Sequence, residues 1–206
     1  EADNYCAATN QLRKLCYDHK LELFGKQITE KRWEYVLHTY PLFRPSCTYE
    51  PRMNAMIITA AFAGEELLDE QDAAARLYGG AGFRMAHELV HGFDAKGSLY
   101  NHTGAQADWW KVSDRSAFNS RRQELAERYA TLELLPGIMT DGGLVADEAA
   151  ADLGGLQIAA QAFEKDLDRR SVSGQKRKTE RQNFFVSFAQ TLAKVTTDDY
   201  KAAYYS

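Results

Sequence analysis

No stretch of this chain approaches the roughly 20 consecutive apolar residues that a bilayer crossing requires, and Glu1-Ala2-Asp3-Asn4 lacks the charged-then-apolar order of a secretion signal. The expectation is a chain soluble as given, without a membrane span, whose acidic first residue is equally that of a terminus exposed by earlier cleavage. Basic surplus is lacking too. Lys and Arg number 25 against 29 Asp and Glu, a net charge of −4, so nothing supplies the counter-charge that a phosphate backbone demands. Nucleic acid is therefore set aside as a partner. The cysteines are three, Cys6, Cys16 and Cys47, which permits at most one internal bridge and leaves a thiol over. They do not decide the compartment. Internal repeats are absent as well, which excludes a solenoid.

What is present is a globular balance, 45% apolar and 26% charged over 206 residues, enough for one core and a single domain. Helical spacing of Leu12, Leu15, Cys16, Leu21 and Leu23 predicts an amphipathic helix from Ala7 to about Phe24. Thr29-Glu30-Lys31-Arg32 reads as the start of a second, short helix that stops before Pro41. Pro41, Pro45 and Pro51 then precede the β-prone Met56-Ile57-Ile58-Thr59, and a small irregular sheet is expected between Cys47 and Thr59. Gly79-Gly80-Ala81-Gly82 reads as a break before an apolar helix, Phe83 to Phe93. Three more helices are expected, near 115–132, 145–167 and 179–195. The polar, basic run Asp168 to Lys178 between the last two predicts a mobile surface loop. Tyr200, Tyr204 and Tyr205 are spaced to line one face of a short terminal helix.

The chemistry concentrates in His87-Glu88-Leu89-Val90-His91. Residues four apart stack on one helix face, so the two imidazoles can converge on one cation, and Zn²⁺ accepts imidazole nitrogen and carboxylate oxygen while leaving a position for water. Glu88 lies beside that face, within reach of such a water. Taken alone, the run is also what two unrelated histidines on one helix would leave. A second stretch bears on this. Glu148 and Asp152 lie four apart in an alanine-rich helical segment that is otherwise apolar, and carboxylates at the margin of a buried face need a partner or a metal. One could bind the ion while the other accepts a ring N–H from a ligating histidine. The sequon Asn101-His102-Thr103 is a glycan acceptor if the chain passes through a secretory route.

Taken in order, these segments resemble the C-terminal catalytic part of the neprilysin-like M13 zinc endopeptidases. Asn54 to Ala61 is similar to that family's N-x-I-V-F-P-A-A, Tyr78 to Gly82 to its Y-G-G-I-G, and His87 to Gly97 to its H-E-[IL]-x-H-G-F-D-D-x-G. Trp109-Trp110 matches its W-W, Glu148 to Gly155 its E-N-I-A-D-x-G-G, and Phe184 to Gln190 its F-F-x-x-F-A-Q. The resemblance covers about residues 46 to 195. It implies a mainly α fold with a small β-sheet (α+β), like the thermolysin-class zincin lobe, with a helical arm over 1–45, a core over 46–195 and a tail over 196–206. It implies one Zn²⁺ held by His87, His91 and Glu148, with Glu88 as general base. Asp152 would orient His87, a role family descriptions often give as proton donor, and Asp94 would hold His91. The implied activity is hydrolysis of peptide bonds by metal-activated water, on peptides outside the cell, since known members are mostly membrane-anchored or secreted.

The sequence also departs from the family pattern. Ser46 stands where the family's N-A-x-Y edge has its peptide-docking asparagine, and Glu65-Glu66 fall where apolar and proline residues are usual. No histidine follows His102, so this sequence does not itself hold the family's late oxyanion-stabilising histidine or the arginine after it; the expectation is either a minimal, slow site or a second chain completing the fold. Two functions follow: a zinc peptidase acting on a peptide substrate, or a secreted, catalytically weak or inactive peptidase-like protein that binds a protein ligand and keeps its zinc. Trp109, Trp110, Phe184, Phe185 and Phe188 are expected in the core.

Overall fold

A computed structural model describes residues 2–24, 36, 39–66, 74–193 and 195–205. The chain divides into two compact units, Glu1–Leu42 and Phe43–Ser206. The first contains helix α1, Ala2–Leu23, which begins earlier than the apolar spacing predicts because its first turns are polar. An i,i+4 ion pair, Lys14 Nζ to Asp18 Oδ2 at 2.5 Å, lies along it. The second short helix expected from Thr29 falls mostly outside the described residues.

The second unit opens on the expected small sheet. Strands β1 (Cys47–Glu50) and β2 (Ala55–Ile58) pair antiparallel with Cys47 opposite Ile58 and Glu50 opposite Ala55. Pro51 ends the first strand and Asn54, at φ 45°, returns the chain into the second. Thr59 then starts α2 (Ala60–Glu66). Its hydroxyl is almost fully buried, accepts from Ser46 N–H at 2.9 Å and donates to the Arg44 carbonyl at 2.6 Å. Phe62, three residues on, also points its N–H at that oxygen, as an N-cap requires.

The glycine run does not break the backbone. Helix α3 (Ala74–Leu77) continues through one wide π turn, Tyr78–Gly82, into α4 (Phe83–Val90), and the chain tightens into a 3₁₀ turn at His91–Phe93. The reason lies in packing: a Cβ at Gly79 would run into the Phe184 backbone carbonyl, so the glycine lets another helix cross here. Helix α5 follows (Val112–Ala130), then the hairpin β3 (Glu133–Leu135) and β4 (Ile138–Met139). Its signal is Pro136-Gly137, with Gly137 at φ 79°; the hairpin was not anticipated from the sequence. Then come α6 (Gly142–Arg169), α7 (Gly174–Leu192) and α8 (Asp198–Tyr205). In α8 the Tyr200 and Tyr204 rings stack at 4.4 Å, as their spacing predicts. The mainly helical α+β architecture expected of a thermolysin-like lobe is thus observed, with two small antiparallel sheets among the described residues. None of the described helices is long and apolar enough to cross a membrane.

The core gathers Phe83 from α4, Ala159, Phe163 and Leu167 from α6, and Phe184 from α7. Phe163 and Phe184 stack at 5.2 Å, and burying each such ring contributes roughly 1.5–3 kcal/mol. A smaller cluster of Cys47, Phe62 and Ala81 ties the first sheet to the π turn. Two aromatics expected in the core are not there: Trp109 is 44% exposed and Phe185 53% exposed. Phe185 follows Phe184 on a helix whose next position already faces solvent. Trp109 sits on an irregular segment against Phe93 and Trp110.

Asp168 to Lys178 is likewise not a mobile loop. Helix α6 runs into it and α7 starts within it, joined by a short corner in which Ser171 takes φ 55° and Val172 is buried. Its arginines are paired: Arg177, together with Arg181 just beyond, bonds Glu164, and Arg169 and Arg170 both bond Asp166. The two guanidiniums outweigh the cost of burial and hold the Glu164 carboxyl down at about 2. A depressed folded-state value means stability that is full above the ordinary carboxylate range near 4.5 and is lost as pH falls towards about 2. Glu164→Gln should therefore lower the unfolding free energy at pH 7 by on the order of 1 kcal/mol, given solvent screening. The same change should flatten the acid limb of the denaturation midpoint against pH; an unchanged limb contradicts the pairing.

Candidate metal centre

Helix α4 carries His87, the 3₁₀ turn that continues it carries His91, and the packing of α4 against α6 builds the site. A Cβ at Gly155 would stand 2.7 Å from His87 N and 2.8 Å from His87 Cα, and one at Gly154 would stand 2.8 Å from Val90 Cγ2. These two glycines let α6 approach the backbone of α4 far more closely than larger residues allow. Asp152 and Glu148, about one and two turns earlier on α6, are thereby delivered to the imidazoles. His87 Nδ1 lies 2.8 Å from Asp152 Oδ1, and His91 Nδ1 lies 2.8 Å from Asp94 Oδ2. Asp94 is itself fixed, because its other oxygen accepts from Lys96 N–H and Gly97 N–H at 2.8 and 2.7 Å.

With both Nδ1 atoms engaged, both Nε2 atoms face one point. They are 3.0 Å apart, and Glu148 Oε2 lies 3.4 Å from that of His87 and 3.8 Å from that of His91. The circle through these three atoms has a radius of about 2.0 Å, which matches the bond length of about 2.0–2.2 Å from nitrogen and carboxylate ligands to a small divalent ion. Glu88 also offers an oxygen to the two histidines, all three ligand atoms lying within 4.8 Å of one another. One Glu88 oxygen is already committed, accepting from Tyr49 N–H of β1 at 2.9 Å. The cluster can hold one metal ion, and it is the one such His/Glu grouping among the described residues.

Electrostatics ask for the same thing. Burial alone would push His87 down, but the acceptors Asp152 and Glu148 outweigh it and raise it to about 9. His91 is raised by its bond to Asp94 against the opposing effect of burial. Burial would raise the Asp94 carboxyl, yet the His91 ring and the two backbone N–H groups hold it low. Glu148 is held below the ordinary range, first by His87. A bare cluster of this kind recruits protons to balance its carboxylates, and a divalent cation replaces them directly.

A model of peptidase family M13 matches residues 47–205. The chain belongs to peptidase family M13. It is 32% identical over 161 residues to Neprilysin-1 of Caenorhabditis elegans, covering 74% of this chain and 21% of that protein. Over 173 residues it is 28% identical to the Neutral endopeptidase of Lactococcus lactis subsp. cremoris, covering 83% of this chain and 27% of that one. Among solved structures, zinc metalloprotease Zmp1 of Mycobacterium tuberculosis, in complex with an inhibitor, aligns with a TM-score of 0.71 at 30% identity. That alignment covers 84% of this chain and 27% of the other. The M13 chain described here therefore spans between 21% and 27% of the length of these relatives.

All six side chains singled out by the M13 resemblance meet in this one region. Asn101 is apart from them. Its Oδ1 accepts from Thr103 N–H, Thr103 hydroxyl and Ala105 N–H at 2.9, 2.7 and 3.1 Å, organising a turn. Sequence reasoning missed three contributors: the Tyr49 N–H on Glu88, the Gly154-Gly155 contact, and an ion pair between Arg122 of α5 and Asp147. Only the glycine pair left a signal, two small residues adjoining the acidic stretch. If the close approach carries the site, Gly155→Ala should cost about 1–3 kcal/mol of stability and weaken metal binding. Denaturant melts and metal titration check both; an unaltered midpoint and affinity contradict the contact.

Proposed function

We propose that this chain is the metal-binding part of a zinc-dependent peptidase that cleaves peptide bonds by adding water across them. His87 and His91 would hold zinc through Nε2 and Glu148 through Oε2. The reading rests on the mutual separations of those three atoms, at 3.0, 3.4 and 3.8 Å. When bound, zinc supplies Lewis acidity, acidifying water and polarising a peptide carbonyl.

The remaining work falls to side chains of this chain. Asp152 and Asp94 each accept an Nδ1–H, which fixes the tautomer and leaves the Nε2 lone pairs free. Glu88 accepts the proton of the attacking water at the oxygen that Tyr49 does not engage. It then releases that proton to the departing amine. Tyr49 N–H anchors the carboxylate so that its free oxygen keeps one orientation. The family membership supports peptides as the substrate class and an extracellular setting, where the Asn101 sequon would carry a glycan.

A second reading, a peptidase-like binding protein with a structural metal, draws on Ser46. Its N–H bonds the Thr59 hydroxyl and its carbonyl accepts from Thr59 N–H at 3.0 Å, so its backbone is committed internally. The two readings separate in one comparison. Metal analysis and a quenched-peptide assay on the parent, Glu88→Gln and Glu148→Ala should give near-stoichiometric zinc in the first two and weakened zinc in the third. Hydrolysis should fall about 10²–10⁴-fold in Glu88→Gln. Zinc in the parent with equal silence in parent and Glu88→Gln favours the binding protein; undiminished zinc affinity in Glu148→Ala removes that residue from the ligand set.

A further inference from the structure

Glu148 is the one proposed ligand carried by a different helix from the histidines, and it is also the least restrained. Its side chain is 68% exposed, against 17% and 18% for His87 and His91. Its ion-pair contacts are those same imidazoles. Packing does not fix it, so its position follows that of the α6 backbone. Towards the C-terminal side, Gly154 and Gly155 fix that backbone against α4. Towards the N-terminal side the constraint comes from α5. Arg122 Nε donates to Asp147 Oδ1 at 2.5 Å and Nη2 to Asp147 Oδ2 at 3.3 Å, while Nη2 also reaches the Gly143 carbonyl at 3.4 Å. This is a two-pronged contact, which fixes orientation as well as distance. The two groups are 30% and 23% exposed, shielded enough to hold a defined geometry.

Charge gives the pair a second effect. Asp147 adjoins Glu148 in the chain, in a region already holding Glu88, Asp94 and Asp152. An uncompensated carboxylate at 147 would add a further like charge beside Glu148, which Asp94 already opposes. The Arg122 guanidinium neutralises it, and Asp94 also acts on the same cation.

We infer that Arg122 is a positioning residue of the metal centre, acting through Asp147 to hold Glu148 where it meets His87 and His91. The inference rests on the metal-centre reading above. It differs from a plain helix staple in what it alters, since a staple changes stability alone, whereas a positioning residue changes affinity for the ion and the ligand field around it.

The test uses cobalt(II) as the probe, read by chelator competition and by its visible absorption, on folded chains verified by circular dichroism. Arg122→Ala should weaken cobalt affinity about 10–100-fold, as loss of outer partners of metal ligands does, and change the intensity of the visible bands. Arg122→Lys, which keeps the charge but not the fork, should recover part of that loss. Asp147→Asn, close to isosteric, should shift affinity in the same direction and serves if Arg122→Ala does not fold. In a Glu148→Ala background, Arg122→Ala should change affinity by less than about twofold, because the residue it positions is gone. Full cobalt affinity and an unchanged spectrum in Arg122→Ala and Asp147→Asn overturn the inference, even if both lower the melting temperature. An equal loss with and without Glu148 overturns it too. Failure of the parent chain to bind cobalt overturns the metal-centre reading itself, and this inference with it.

Discussion

The close approach of α4 and α6 is the constraint on which the rest depends. Two adjacent glycines remove the side chains that would keep a pair of helix axes apart. With the helices that near, His87 and Asp152, 65 residues apart in sequence, fall within hydrogen-bonding reach. Asp152 meets one imidazole from behind, and Glu148 meets both from the front. The large aromatic core formed by Phe83, Phe163 and Phe184 has the complementary task. It holds α4, α6 and α7 in place, so that the small residues define the separation and the large ones supply the stability.

A site assembled this way stores an electrostatic imbalance. Two imidazoles face the carboxylates of Glu148, Asp152 and Asp94, with Glu88 alongside, and the carboxylates raise both imidazoles so that without a cation the site balances its charge with protons. Two carboxylates are spent in holding the outward ring nitrogens. Of the other two, Glu148 lies against the Nε2 atoms and Glu88 is steadied by the Tyr49 N–H. Under the proposed function that division would give Glu148 the ligand role and Glu88 the proton-handling role, although both are glutamates and both reach the histidines.

Chemistry that depends on local spacing was legible in the sequence. His87 and His91, four apart, and Glu148 and Asp152, four apart, announce helix faces directly, and each pair faces as that spacing requires. Packing-dependent features were not. Gly79 to Gly82 has the composition of a break, yet it continues a helix because Phe184 needs the space. Asp168 to Lys178 has the composition of a loop, yet its arginines pair locally with Asp166 at the end of α6 and, through Arg177 of α7, across the corner with Glu164. Polar residues that pair look like polar residues that are merely solvated. Arg122 and Asp147 are 25 residues apart, and no periodicity joins them. The second hairpin is too short for alternation to reveal, leaving only the Pro136-Gly137 turn as its trace.

The central claim, that side chains 87, 91 and 148 share one ion, is tested most directly by X-ray absorption at the zinc edge of the loaded chain. The account predicts a first shell of only nitrogen and oxygen at about 2.0–2.1 Å, with the multiple-scattering signature of two imidazoles and a carboxylate contribution that disappears on removal of the Glu148 side chain. A sulfur scatterer near about 2.3 Å, a single imidazole, or a spectrum indifferent to residue 148 would contradict it.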